Sequence, residues 1–369
     1  MTGKHQIAER VRDTDFSGVR KFFEAVPPGS IYLGIGQPDF QTPEHIKEAG
    51  IEAIRQNKTG YTPNNGIPEL CSAISEKCRR ENGLSYAPEQ VIVTAGASEA
   101  IYIALQTLVE NGDTVLCPEP GFVINASATK LANGKAAFYP HTPDMHIDVE
   151  ACKERMDSAR VIIVNSPRNP TGAVESEETI RAVVEYAGDK GVTVISDEVY
   201  EHFVYEKPHV SCARFGEDVI TVNATSKTYA MTGWRIGFVA GPLDYIEQMK
   251  KVHMFSQVNA TSIAQYAALA AYSGPQDCVI AMREEYRRRR DLLLAGLAGC
   301  GYECTPPEGA FYLFANLGPD GHAAFKKAGV IGIPGDVFGA STADYLRLSY
   351  AASEETLKEA IRRLEAVSA

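Results

Sequence analysis

Lys227 sits in the small-polar turn Asn223-Ala-Thr-Ser-Lys227, and Arg235 follows it by eight positions in Met231-Thr-Gly-Trp-Arg235-Ile-Gly. Both lie between buried-strand patterns, Val219-Ile-Thr-Val222 before the lysine and Ile236-Gly-Phe-Val-Ala240 after the arginine. A lysine delivered at a strand end can be desolvated. Full burial lowers the pKa of such an amine by roughly 3 to 5 units and leaves it free to attack an aldehyde as a Schiff-base nucleophile. The bland alternative, a solvated loop lysine, is what most lysines are.

Other residues with chemical potential occupy comparable positions. Asp197 and Tyr200 follow the strand pattern Val192-Thr-Val-Ile-Ser196, and Asn169 lies in Asn165-Ser-Pro-Arg-Asn169-Pro-Thr-Gly172 after Val161-Ile-Ile-Val164. As structural elements alone, Asp197 reads as a cap and Asn169 as part of a proline-fixed turn. Between the strand Val91-Ile-Val-Thr94 and the helical pattern Ala100–Val109, the turn Gly96-Ala97-Ser98 lets backbone amides approach an anion, helped by the helix N-terminus. Arg347, inside the apolar strand pattern Asp344-Tyr-Leu-Arg347-Leu-Ser-Tyr350, needs an anion if it is buried. On an edge strand it would point to solvent.

The elements that must hold these residues alternate strand and helix from about 91 to 240, as in a doubly wound α/β sheet, whose ligands bind at the carboxyl ends of the strands. Asn169, Asp197 and Lys227 all fall at such ends. Past Pro275 come a long charged helix (about 276 to 299), the strand-like Gly309–Phe314, the loop Gly332–Gly339 and a final helix, which together read as a smaller α+β domain. Residues 5 to 26 carry an amphipathic helical pattern that must pack on something else. The expected division is an arm over 1–40, a large domain over 41–275 and a small domain over 276–369.

The 369 residues carry a formal net charge of −11 and a sequence pI near 5.3, which argues against a nucleic-acid partner. The run Arg287–Arg290 follows Glu284 and Glu285 and reads as a solvated, partly salt-bridged helix face. Eight cysteines lie scattered without metal spacing, so no metal is expected. A charged N-terminus without an apolar core and the lack of any membrane-length apolar run complete the expectation of a cytoplasmic protein with no membrane partner. Gly34-Ile-Gly36-Gln-Pro-Asp39 lacks the third glycine of a dinucleotide fingerprint, which disfavours a nicotinamide dehydrogenase.

The string S-K-x-x-x-M-x-G-W-R-I-G resembles the lysine signature of the class I/II aminotransferases, fold-type I enzymes dependent on pyridoxal 5′-phosphate and similar to aspartate aminotransferase. The resemblance extends over most of the chain. It implies that Lys227 carries the cofactor covalently and acts as the catalytic proton carrier. Arg235, Gly96, Ala97, Ser98 and Thr225 would hold its phosphate end, and Phe122, in Pro118-Glu-Pro-Gly-Phe122, would stack on its ring in place of the Tyr or Trp of many relatives. Asn169 and Tyr200 would bond its phenolate oxygen and Asp197 its ring nitrogen, with Asp197 standing the habitual 30 residues before Lys227. Gly36 would lie beside the substrate and, with Asn169 and Arg347, bind it, Arg347 taking the α-carboxylate through a planar fork. Tyr61 would reach the phosphate of a neighbouring subunit, so a homodimer with a shared active site is implied.

The activity implied is transfer of an amino group from an L-amino acid to a 2-oxo acid, with aspartate or a related amino acid and 2-oxoglutarate as the pair, although aromatic and aliphatic side chains suit the same surroundings. Arg20, Lys21 or Arg168 could supply a second cation for a dicarboxylate, each being also readable as a surface residue. The alternative on the same fold is a C–S β-lyase. A regulator carrying an aminotransferase-like domain would need a DNA-binding domain ahead of Gly36, which only about 35 residues precede.

Overall fold

A computed structural model describes residues 7–16, 18, 19 and 26–368. A short strand β1 (Ile31–Tyr32) precedes the seven strands of the central sheet: β2 (Val91–Thr94), β3 (Thr114–Pro118), β4 (Lys135–Tyr139), β5 (Val161–Asn165), β6 (Thr193–Asp197), β7 (Val219–Ala224) and β8 (Gly237–Ala240). Their order is β2-β8-β7-β6-β5-β3-β4. The pairs from β7 to β4 are parallel, and β8 runs antiparallel to both its neighbours. The expected doubly wound α/β sheet is therefore present.

Strand alternation explains why the sheet is covered on both faces. All five residues of β5 are buried. Ile163 packs in one cluster with the helices Ala97–Leu108 and Leu243–Ser256, whereas Ile162 and Val164 pack in another with Val149–Met156 and Glu177–Lys190. The last of these helices starts where the Ser176 hydroxyl accepts the Thr179 N–H at 3.1 Å and stops at Gly191, which takes a left-handed conformation with φ +67°. It thereby hands the chain to β6 and Asp197.

The smaller sheet contains β9 (Tyr312–Asn316), then, after β10 (Val330–Ile331), β11 (Ile333–Pro334) and β12 (Tyr345–Ser349), in the antiparallel order β11-β12-β9. β1 pairs in parallel with β10, which ties the segment leading to Gly36 to this part of the chain. The expected single helix over 5–26 is not formed. A helix runs from Glu9 to Arg12 and ends at Asp13, where the Thr14 hydroxyl turns back to the Arg10 carbonyl at 2.7 Å. Asp, Thr and Asp in succession compete with helix through such local bonds. Residues 1–6, 17 and 20–25 of that segment lie outside the described residues.

The arginine run also departs from expectation. Arg287 and Arg288 pair with Glu284 and Glu285 on the exposed side, but Arg289 and Arg290 are buried, Arg289 bonding Asp39 at 2.7 Å and Arg290 bonding Glu206 at 2.6 Å. Helical periodicity turns the second half of the run inward. Among the described residues, no helix is long and apolar enough to cross a membrane.

Candidate active site

A cavity of about 640 Å³ opens at the carboxyl ends of β5, β6 and β7 and is closed by β9, β12 and the segment after β1. Its walls include Lys227, Asp197, Tyr200, Asn169, Ala97, Ser98, Phe122, Arg235, Gly36 and Arg347. Residues spread over more than 300 positions of sequence thus meet in one place.

Register accounts for the convergence. Asn165 and Asp197, the last residues of β5 and β6, are paired neighbours, and Asp197 pairs onward with Val222 of β7. The Asn165 amide donates to the Asp197 carbonyl at 3.0 Å while its Oδ1 accepts the Asn169 N–H at 3.0 Å. Asn165, which carried no role in the sequence reading, therefore fixes the loop that presents Asn169. A side chain bonding its own loop is the signal that could have shown it.

Lys227 donates to the Gly36 carbonyl at 2.5 Å and lies 5.8 Å from the centroid of the Tyr200 ring. Burial, reinforced by the like charges of Arg347 and Arg235 and only partly opposed by Asp197, lowers its amine to about 8. Burial raises the Asp197 carboxyl to about 7, with Glu198 adding to the rise against the Val199 N–H and Lys227. Burial thus moves both groups towards neutrality from opposite sides.

The turn before the helix Ala97–Leu108 has its own logic. Gly96 has φ +82° and no side-chain cap, and a Cβ there would come 2.5 Å from Arg235 Nη2. Arg235, itself left-handed at φ +55°, donates to the carbonyls of Thr232 (2.9 Å) and Ala95 (3.2 Å) and so leans over the turn. Gly237 lets β8 pass beneath, since a Cβ there would lie 2.8 Å from the Ala97 nitrogen. Among the described residues no side chain caps this helix N-terminus, which lies beside the guanidinium.

Arg347 projects from β12 and is 1 % exposed. It donates to Asn169 Oδ1 at 2.9 Å and to the Gly34 carbonyl at 2.7 Å, its guanidinium stacks 4.4 Å from the Tyr312 ring centroid, and Nε has no partner. No carboxylate pairs with it among the described residues. Such a fork is built for a planar anion.

A family model for aminotransferase class I and II matches residues 28–364. The chain belongs to that family.

Its relatives agree over nearly the full length. A probable aspartate aminotransferase of Methanocaldococcus jannaschii is 42% identical over 96% of this chain and 98% of its own. The structure of aspartate aminotransferase from Thermus thermophilus with maleate has a TM-score of 0.94 at 38% identity, covering 99% of this chain and 100% of that one. An aromatic aminotransferase from Pyrococcus horikoshii has a TM-score of 0.89 at 40% identity, covering 95% and 98%. The protein is an aminotransferase, moving an amino group from an amino acid to a 2-oxo acid, and nothing among the relatives supports the β-lyase alternative.

Three residues expected in the aminotransferase site stand outside the cavity wall. The Thr225 hydroxyl bonds the Ile236 carbonyl at 3.2 Å and is fully buried, while its neighbours Ala224 and Ser226 face the cavity. Gly96 meets Arg235 instead of the open space. Tyr61 is 89 % exposed and lies apart from this chain's cavity. Arg168 is neither a surface residue nor an available cation: it is fully buried, paired with Glu175, and donates to the Met145 carbonyl at 2.5 Å. Arg20 and Lys21 lie outside the described residues. Tyr32, expected among the hydrophobic surroundings of the substrate, is on the wall, whereas sequence reading missed Tyr312, also on the wall, because it sits in a strand where an aromatic reads as core.

Proposed function

We propose that this aminotransferase holds pyridoxal 5′-phosphate in the cavity and transfers the amino group of L-aspartate to 2-oxoglutarate. The observation that carries the reading is Arg347, a buried guanidinium that has no counter-ion and an unbonded Nε among the described residues, aimed into the space that also holds a lysine amine lowered to about 8. Family membership implies the cofactor. The residues present fit it: Gly96 leaves the room beside Arg235 that a Cβ would fill, the bare amides of Ala97 and Ser98 suit a phosphate, and Lys227 and Asp197 suit an aldehyde and a ring nitrogen.

Bound pyridoxal phosphate supplies an electrophilic carbonyl and a ring that accepts the electrons of a Cα carbanion. Lys227 would hold the group through its amine and, when that amine is free, would carry the proton taken from the substrate Cα. Asp197 would set its carboxylate against the ring nitrogen, and Asn169 and Tyr200 would donate to the ring oxygen. Arg347 grips the α-carboxylate, which orients the Cα–H bond towards Lys227, while Gly36 leaves room beside the substrate. Phe122 would present its face to the ring, and Thr225 acts from behind by tying the Lys227 turn to Ile236 just before β8.

The aspartate reading draws on the relatives of that name. A second reading, an aromatic amino acid as donor, has the aromatic wall of Tyr32, Phe122, Tyr200 and Tyr312 behind it. Tyr61, together with Phe255 also 89 % exposed, supports a homodimer in which Tyr61 completes the neighbouring site. The separate sheets and the β1–β10 pairing support a division into an arm over 1–40, a large domain over 41–275 and a small domain over 276–369. Eight free cysteines accord with a cytoplasmic setting. Initial rates with aspartate, phenylalanine, tyrosine and leucine against 2-oxoglutarate test the proposal. Aspartate preferred by kcat/KM upholds it, and phenylalanine or tyrosine preferred over aspartate replaces it with the second reading.

A further inference from the structure

Tyr312 stands in β9 with its ring 1 % exposed, and its hydroxyl lies 2.7 Å from that of Tyr200, which follows β6. The two rings meet edge to face, with centroids 5.7 Å apart at 78°. This is a hydrogen bond between the two sheets, made at the cavity wall by both partners. Gly36 leaves room for it, because a Cβ at that position would lie 2.7 Å from the Tyr312 hydroxyl.

The direction of the bond follows from the proton count. A phenol has one proton to give, so a Tyr200 that donates to the ring oxygen can only accept from Tyr312. Arg347 reaches from β12 with its guanidinium 4.4 Å from the centroid of the Tyr312 ring and offers only donors, so it takes no proton from Tyr312. Burial raises both phenols, and Arg347 opposes the rise at each.

We propose that Tyr312 is a positioning residue for amino transfer: its hydroxyl donates to Tyr200 Oη, which turns the Tyr200 proton towards the cavity and makes it a stronger donor to the ring oxygen of bound pyridoxal phosphate. The inference rests on the reading that Tyr200 touches that oxygen. A chain of bonds running one way polarises each member, so losing the first weakens the second without removing it.

The test is the pH midpoint of the absorbance of bound pyridoxal phosphate in wild type, Tyr312→Phe, Tyr200→Phe and the double variant. Tyr312→Phe keeps the ring under Arg347 and should raise the midpoint by about 0.5 to 1 unit. Tyr200→Phe should raise it further, and the double variant should match Tyr200→Phe, since Tyr312 acts only through Tyr200. A midpoint in Tyr312→Phe within about 0.2 unit of wild type while Tyr200→Phe shifts overturns the role of Tyr312 alone. No shift in Tyr200→Phe removes the underlying reading and the proposal with it. If Tyr312→Phe does not fold, as judged by circular dichroism, Gly36→Ala displaces the same hydroxyl and decides by the same criterion.

Discussion

Arg347 Nη1 donates to Asn169 Oδ1 at 2.9 Å, which joins β12 of the smaller sheet to the loop following β5 of the larger one. In the proposed reading the side chain that binds the substrate carboxylate is thus also the one that fixes the Asn169 loop. Arg347→Lys keeps the charge and loses the fork. Truncating a buried, bonded charge costs about 2 to 5 kcal/mol, so kcat/KM should fall roughly 30- to 5,000-fold for the amino acid and the 2-oxo acid alike. Steady-state kinetics in both directions check this, and a loss confined to one direction would show that Arg347 does not hold the group the two substrates share.

Asp197 is buried at the end of β6 with the Val199 N–H as its hydrogen-bond donor, at 3.4 Å. An amide of the same shape can occupy the place but brings no charge to a ring nitrogen. Asp197→Asn should therefore still bind pyridoxal phosphate while kcat drops roughly 10²- to 10³-fold. Cofactor content by absorbance and turnover on the same sample give the answer; unchanged turnover counts against the assignment.

Lys227 must lose a proton before it reacts. With its amine lowered to about 8, the rate at which the apoenzyme captures pyridoxal phosphate should rise tenfold per pH unit below that value and level off above it. Arg347 is the second cause of the lowering, after burial, so Arg347→Met should move the midpoint upward. Stopped-flow absorbance over pH 6 to 10 measures both. Lys227→Ala should show no covalent adduct by mass spectrometry after borohydride, and an adduct on the peptide spanning Trp234 would sink the assignment.

How much of this was legible in the chain depends on where each signal is written. Lys227, Asp197 and Asn169 were readable because a polar residue just past an apolar strand is anomalous, and the parallel sheet gathers such strand ends. Tyr312 and Asn165 were not. Tyr312 lies within Gly309–Phe314, where alternation predicts a buried aromatic whichever way its hydroxyl points. Arg168 was misread because a loop position suggested exposure, whereas Glu175, seven residues on, buries with it. The pairing of β1 with β10 joins residues about 300 apart and leaves no local trace.

Lys77 and Glu201 form a buried ion pair behind the site, with Asn82 and Asn223 donating to the same carboxylate at 2.6 and 2.5 Å. Burial lowers the Lys77 ammonium, but Glu201, with Cys78 and Glu81, holds the amine above its usual value; burial raises the Glu201 carboxyl, but Lys77, with His202 and His209, holds it below its own. Glu201 therefore contributes stability that is present above the unfolded glutamate pKa, about 4.3, and is lost as pH falls below it. Lys77→Met leaves the carboxylate buried without its main partner and should cost about 3 to 5 kcal/mol at pH 7. In that variant the Glu201 pKa rises above the unfolded value, so protonation relieves the burial and the deficit should shrink as pH is lowered from 7 to 5. Urea unfolding at the two pH values decides it: a deficit of equal size at both would mean that packing, and not the charge on Glu201, is what Lys77 supplies.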